Sequence, residues 1–418
     1  MIKILILGNY CSSNRGDAAI LSGLIKLVRD NIPDTQITIS SFYPEVANQV
    51  HKLESIRPIV ITNSGFDKRL FAKNIVLYFL YAKGLLRKQI SNLFSDEENY
   101  TLRKYLESDV IIGIGGTYLN DNYKPTILGR LFELYLGKQF NKTVVLCSHS
   151  IGPIQNTWYQ KIARHVFNKL DLITLRDHES FRILTEIGVN NPAVRIAGDT
   201  AFLASQIKPE EAEHILRKEI LDYDPDQPYV SFSVRKWNYY KSKDNKQGHL
   251  NYLTVISQAC DYMIESYGIK MVFISTCTDM GGYRADDRLI AKEVKKLMRN
   301  KMNAYIISSE LTAEEVKGIY GLMKMHSGTR MHSNIFALSM STPVLAISCE
   351  FKTSELMKEL NLEEYVIDIN NIDLSTMKDK LDKCWRNKEI LSQALPEKVD
   401  KLKKSANNNI ELIKSLIS

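Results

Sequence analysis

Residues 1–30 read MIKILILGNYCSSNRGDAAILSGLIKLVRD. The run Ile2–Leu7 is Ile and Leu broken only by Lys3. So short and continuously apolar a run predicts a strand buried on both faces of a parallel sheet. A polar loop follows through Asp17, and Ala18 to Asp30 then repeats its apolar residues at helical spacing. The next apolar stretch, TQITISSF at 35–42, completes a βαβ unit. This opening predicts an α/β class with a doubly wound parallel sheet.

Working outward, the same alternation recurs. DVIIGIGG (109–116), TVVLCSHSIGP (143–153), LDLITLRDHES (170–180) and AVRIAGD (193–199) read as strands running into loops or helices. At 206–228 the character changes to the charged, proline-terminated QIKPEEAEHILRKEILDYDPDQP, which reads as a region between domains. A second set follows: PYVSFSVRKW (228–237), KMVFISTC (270–277), NAYIISS (303–309), GLMKMHSGTR (321–330) and TPVLAIS (342–348). The expected organisation is an N-terminal Rossmann-like domain over 1–205, the connecting region 206–228 and a second Rossmann-like domain over 229–395. A terminal helix over 396–418 is expected to pack back across the domains.

A length of 418 residues suits two domains, and 44% hydrophobic with 25% charged residues is ordinary globular composition. The formal net charge of +7 falls short of the dense cationic footprint of a dedicated nucleic-acid binder, so no nucleic-acid partner is expected. It suits an anionic substrate or an anionic surface. The six cysteines form no CxxC pair, so neither a disulfide framework nor a zinc site is expected, and no other metal motif is legible. With no leader-like pattern before the first strand and no apolar run of about 20 residues, the expected location is the cytoplasm. Residues 69–94, RLFAKNIVLYFLYAKGLLRKQISNLF, are apolar and aromatic, interleaved with Arg69, Lys73, Lys83, Arg87 and Lys88. They read either as a core-packing helix with a basic face or as a peripheral contact with the inner face of the plasma membrane.

In open α/β sheets, ligands bind beyond the carboxyl ends of the strands. Four strand-end loops therefore hold the candidate chemistry. In NRGD, Asp17 reads as a helix N-cap, and Asn14, Arg15 and Gly16 as a loop that could hold a substrate near free backbone N–H groups. In GIGGTYLND, Gly115 and Gly116 allow close approach of backbone to a ligand, and Asp121 reads as a base or a sugar-hydroxyl acceptor. In SFSVRKW, a strand delivers Arg235 to the mouth. In GTRMHS, Arg330 and His332 open a helix, which combines free N–H groups with a bidentate fork. Lys352 follows the next strand.

Taken in order over residues 8–352, NRGDAAIL, GIGGTYLND, SHSIGP, LRDHES, GDTAFL, SVRKW and GTRMHSNIFALSMSTPVLAIS with its downstream Lys resemble the polysaccharide pyruvyl transferase family. The resemblance implies a glycosyltransferase-B-like fold, two Rossmann-like domains facing across a cleft. It implies transfer of a pyruvyl group from phosphoenolpyruvate to two hydroxyls of a sugar, as a ketal. No cofactor is implied. It assigns Arg235, Arg330 and Lys352 to the donor, His332 to proton transfer and Asp121 to the acceptor hydroxyl. Asn14, Gly16, Asp17, Gly115 and Gly116 fall on the acceptor side. Where the family carries Tyr-Asp-Pro before the Lys, this chain has Cys349, Glu350 and Phe351. The acceptor implied is a sugar of a surface polysaccharide or its lipid-linked precursor. A glycosyltransferase of the same fold using a nucleotide sugar is the alternative.

Overall fold

The computed structural model describes the chain except for residues 60, 63–64, 67, 122–125, 242–243, 283–284 and 418; side chains at 61–62, 65–66, 68, 70 and 73 are also outside the description, Lys73 among them. Two compact units emerge. One gathers Met1–Ser12, Ile20–Leu203 and Leu402–Ser418, and the other Ser13–Ala19 and Ala204–Lys401. No helix among the described residues is long and apolar enough to cross a membrane.

The first unit is built on a parallel sheet whose strands, in chain order, are β1 (Ile2–Asn9), β2 (Thr35–Ser41), β3 (Glu54–Ile56), β6 (Val110–Gly113), β7 (Thr143–His149), β8 (Leu172–Leu175) and β9 (Val194–Ile196). Two short strands, β4 (Ile61–Thr62) and β5 (Gly65–Phe66), pair antiparallel apart from it. The spatial order is β3-β2-β1-β6-β7-β8-β9, so the winding reverses between β1 and β6. In β1, Ile4 to Leu7 are at most 2% exposed, which explains the unbroken apolar run: both faces are covered. Each such side chain contributes roughly 1.5–3 kcal/mol of burial. The last turns of the helix Lys388–Lys414 are fixed to this unit by Asn409. Its Oδ1 accepts from Thr174 Oγ1 at 2.5 Å, and its Nδ2 donates to the Gly198 carbonyl at 3.1 Å.

The second unit repeats the plan with β10 (Tyr229–Ser233), β11 (Lys270–Phe273), β12 (Ala304–Ile306), β13 (Met325–Gly328), β14 (Val344–Ser348) and β15 (Val366–Asp368). The order is β12-β11-β10-β13-β14-β15, all parallel, with the reversal between β10 and β13. The charged stretch Pro209–Glu219 is a helix of this unit. Residues 13–19 belong here although chain order puts them beside β1, for a physical reason: Ser13 to Arg15 run antiparallel along the loop after β11. The Arg15 amide donates to the Thr276 carbonyl at 2.7 Å, and the Thr278 amide to the Ser13 carbonyl at 3.3 Å.

In each unit burial holds one histidine well below its ordinary pKa. His51 Nε2 lies 2.9 Å from Ser12 Oγ, and burial lowers its pKa to about 4. His326, inside β13, lies between Ser231 Oγ at 2.9 Å and Ser333 Oγ at 3.0 Å, and burial lowers its pKa to about 3. An unfolded histidine takes up its proton near pH 6.5, so between that pH and the lowered values the unfolded chain binds more protons. Stability from these sites is complete above pH 6.5 and falls as pH drops, by up to about 1.4 kcal/mol per pH unit for each histidine. Thermal melts at pH 7, 6 and 5 should show a falling midpoint, with a shallower fall in His51→Gln. A wild-type midpoint independent of pH over this range contradicts the prediction.

Candidate active site

The reversal between β10 and β13 is the place where a doubly wound sheet opens a crevice. Arg235 lies just beyond the end of β10, and its guanidinium sits over the Trp237 ring, 5.2 Å from the centroid. Arg235 Nε, Ser233 Oγ and Trp237 Nε1 are all buried with no hydrogen-bond partner among the described residues. Buried polar atoms are almost always paired, so an orphaned group of donors at one strand end marks a place where a ligand completes the bonding.

Beyond β13, Arg330 occupies the N-cap position of the helix Met331–Ser339. Its Nη2 donates to Asp287 Oδ1 at 2.7 Å and its Nε to Oδ2 at 3.0 Å. Two parallel charge-assisted bonds fix the plane of the guanidinium. The Asp287 side chain is 4% exposed, and its amide donates to the Cys277 carbonyl at 3.0 Å, so the acid is itself held by the loop after β11. The neighbouring Asp286 caps the helix Asp287–Leu297 and pairs with Arg288 at 2.7 Å. Arg288 reaches Glu310 at 2.8 Å, and Glu310 pairs at 2.9 Å with Arg15, which is 1% exposed. Arg15, read from sequence as part of a substrate-holding loop, is thus a buried strut.

That strut sets Gly16 against His332. A Cβ on Gly16 would lie 2.3 Å from His332 Nδ1, 2.6 Å from Cγ and 2.8 Å from Cβ. The last two atoms are close to the main chain and have nowhere to go. Only glycine allows the His332 ring its position. The cap of this first helix is Asn14, whose Oδ1 accepts from the Gly16 amide at 3.1 Å, not Asp17, which falls in the first turn. Asn14, Gly16 and Asp17 were expected on the acceptor side with the first domain. The pairing of 13–15 with 276–278 places them in the second unit, where Gly16 lies against His332.

Lys352 lies in the first turn of the helix Phe351–Glu359 and pairs with Glu350 at 2.8 Å. Burial pushes the Glu350 carboxyl up, but Lys352, Arg235 and Arg330 together outweigh it and hold the group below the usual range. The charges of Arg235, Glu350, Arg330 and Lys352 also reach the Cys349 thiol, which burial pushes up to about 12. Those of Arg330, Asp287, Asp17 and Arg235 reach Cys277, likewise about 12 through burial. Neither thiol is a nucleophile at neutral pH. Arg235, Arg330 and Lys352 follow the ends of the neighbouring strands β10, β13 and β14, and His332 opens the helix after β13. Sequence reading missed Asp287 and Glu350, the acids that pair with Arg330 and Lys352, and Glu310, which pairs with Arg15 and Arg288. Glu350 had a local signal, standing two positions before Lys352, whereas Asp287 is separated from Arg330 by 43 residues of chain.

In the first unit, the Asp121 amide donates to the Pro153 carbonyl at 2.9 Å, and Oδ2 accepts from the Gln155 amide at 2.7 Å. The carboxylate is held by the loop after β7. A Cβ on Gly115 would meet the Ser148 carbonyl at 2.4 Å, and one on Gly116 the Tyr118 ring at 3.1 Å. Backbone packing accounts for Gly115, and Gly116 takes a positive φ of +154° against the Tyr118 ring. Among the described residues no group of His, Cys, Asp and Glu is arranged to hold a metal ion.

The chain matches the family model "Polysaccharide pyruvyl transferase" over residues 14–350. It is 25% identical over 411 residues to the amylovoran biosynthesis protein AmsJ of Erwinia amylovora, covering 96% of each chain. Among solved structures it is similar to a glycosyltransferase from Rickettsia africae, with 14% identity and a TM-score of 0.60 over 99% of this chain and 97% of that one. It is also similar to Anabaena HepE in complex with UDP-glucose, with 11% identity and a TM-score of 0.58 over 99% of this chain and 100% of that one. The UDP-GlcNAc 2-epimerase of Neisseria meningitidis bound to UDP-GlcNAc gives 10% identity and a TM-score of 0.56 over 100% of this chain and 99% of that one. At such identities the likeness is one of fold, and it is the expected one: two parallel α/β units of the glycosyltransferase-B type. With the family model spanning residues 14–350, through both sheets and the Arg330–His332 turn, this chain belongs to the polysaccharide pyruvyl transferase family.

Proposed function

We propose that the protein transfers a pyruvyl group from phosphoenolpyruvate to two hydroxyls of a sugar in a surface polysaccharide or its lipid-linked precursor. The observation that carries this reading is that Arg235, Arg330 with His332, and Lys352 stand at the ends of three neighbouring strands, with Arg235 Nε buried and without a partner among the described residues. Phosphoenolpyruvate offers a phosphate and a carboxylate, two anions that planar guanidinium forks suit. Arg235 and Arg330 bind these two groups in this reading, and Lys352 adds charge beside them. Asp287 and Glu350 keep the cations in place without a ligand.

The chemistry balances without an oxidant or reductant. One sugar hydroxyl adds to the enol carbon while the methylene carbon takes a proton and becomes methyl. Loss of phosphate leaves an oxocarbenium ion, which the second hydroxyl captures. Of the two hydroxyl protons, one ends on the methyl group and one on phosphate. His332 moves a proton, either from the attacking hydroxyl or to the departing phosphate. Asp121 orients or deprotonates the acceptor hydroxyl. No cofactor enters these steps.

Calorimetric titration with phosphoenolpyruvate should show saturable binding that Arg235→Ala abolishes. His332→Ala should keep that binding and lose about 10²–10⁴-fold in turnover. Binding of a nucleotide sugar with none of phosphoenolpyruvate would identify a glycosyltransferase site instead. The Gly16 contact gives a second test. Overpacking against His332 costs about 1–3 kcal/mol and the gain in helix propensity offsets at most about 1 kcal/mol of it, so Gly16→Ala should fold and melt slightly below wild type. Its methyl group displaces His332, and a misplacement of about 1 Å costs on the order of 10²-fold in turnover. A Gly16→Ala enzyme of normal activity would remove His332 from the chemistry.

A further inference from the structure

The segment 69–94 is two helices, not one. Lys68–Ala82 ends in a turn and Arg87–Ser91 resumes. Much of its aromatic content is core. Phe71, Tyr78 and Phe79 pack against Phe132 with centroids 5.0, 5.9 and 5.6 Å apart, and Tyr78 is fully buried. What this packing leaves out is the turn, KGLLRK at 83–88.

The turn is built as a Schellman motif. The Leu85 amide donates to the Leu80 carbonyl at 2.9 Å and the Gly84 amide to the Tyr81 carbonyl at 3.0 Å, with Gly84 at φ +80°. Such motifs usually fold the residue after the glycine back onto the helix. Here Leu85 is 55% exposed, and Leu86 beside it is 62% exposed. Leu86 also sits at φ +50°, a left-handed conformation that a leucine adopts at a cost and that Asn or Gly takes readily. Arg87 makes the tip rigid: its Nε donates to the Tyr81 carbonyl at 2.9 Å and its guanidinium lies over the Tyr81 ring. Two leucines are thus held out into solvent, one in a strained conformation, on a fixed mount.

The charge around them has one sign. Lys68, Arg69, Lys73, Lys83, Arg87 and Lys88 fall between 68 and 95, and no Asp or Glu does. Lys83 and Lys88 flank the tip and are exposed. The next acids, Asp96 to Glu98, begin a new helix, where Glu98 closes a capping box with Ser95.

We propose that the tip 83–88 is a membrane anchor: Leu85 and Leu86 enter the headgroup region of an anionic bilayer while Lys83 and Lys88 meet its phosphates. The anchor is a property of the first unit and stands apart from the donor chemistry. Should the acceptor be lipid-linked, as in the reading above, the anchor brings the enzyme to it.

Flotation of the full chain with vesicles of neutral phosphatidylcholine, and of the same lipid with one-third phosphatidylglycerol, tests this. Binding is expected to the anionic vesicles only and to weaken with salt. Leu85→Ser/Leu86→Ser and Lys83→Glu/Lys88→Glu should each reduce it by at least about tenfold. Leu86→Asn separates the anchor from folding: relief of the left-handed leucine should raise the melting midpoint by about 1–2 °C while vesicle binding falls. Equal binding to both vesicle types, none to either, or no loss in the variants overturns the proposal. So does concentration-dependent self-association that the Leu85→Ser/Leu86→Ser variant abolishes, because the leucines would then be covered by a second copy. Phosphoenolpyruvate binding in solution should be the same in all these variants, so failure of the anchor leaves the donor reading intact.

Discussion

The ion pair between Arg330 and Asp287 is the constraint on which the site depends. Arg330 lies just beyond the strand Met325–Gly328 at the reversal point of the second sheet, where its backbone caps the helix that carries His332. A guanidinium there has many rotamers in water. The buried carboxylate of Asp287 selects one through two bonds, and the Cys277 carbonyl in turn fixes the residue that bears it. Removing one partner of such a pair is strongly destabilising, on the order of 3–5 kcal/mol, because the other charge stays buried. The pair is better understood as pre-organisation than as net stability. It fixes the guanidinium plane in advance, so that the proposed anionic donor need not order the side chain on arrival.

The same loop after β11 does a second job. By pairing with residues 13–15 it brings the start of the first helix into the second unit, and Arg15, Glu310 and Arg288 lock it there. The result is that Gly16 rests on the His332 ring. Proton transfer tolerates little misplacement, and here the ring of the candidate base is confined by a residue distant in sequence that has no side chain to give way. One loop thus positions both Arg330 and His332, the residues proposed to bind the donor and to move a proton.

Much of this was legible in the sequence, for identifiable reasons. The apolar runs at Ile4–Leu7 and Val344–Ser348 announce strands buried on both faces, because covered parallel sheets need no polar alternation. Strand ends are also easy to find, so Arg235, Arg330, His332 and Lys352 stood out as charges where apolar runs stop. Their partners did not, because an ion pair such as Asp287–Arg330 leaves no periodic trace. The loop NRGD was misread for the same reason. Its Arg reads as part of a substrate-holding loop until Glu310, far along the chain, is seen to pair with it. In 69–94 the aromatic spacing suggested one helix, whereas the Lys83–Gly84 step already carried the signal of a C-cap.

The account's central claim is that the cationic crevice at the end of β10 and β13 is a phosphoenolpyruvate site. A crystal structure of the wild-type protein grown with phosphoenolpyruvate tests it most directly. The account predicts the phosphate and carboxylate within about 3 Å of the Arg235 and Arg330 guanidinium groups, with Arg235 Nε taking its missing partner. Phosphoenolpyruvate bound elsewhere, with Arg235 and Arg330 untouched, would contradict it.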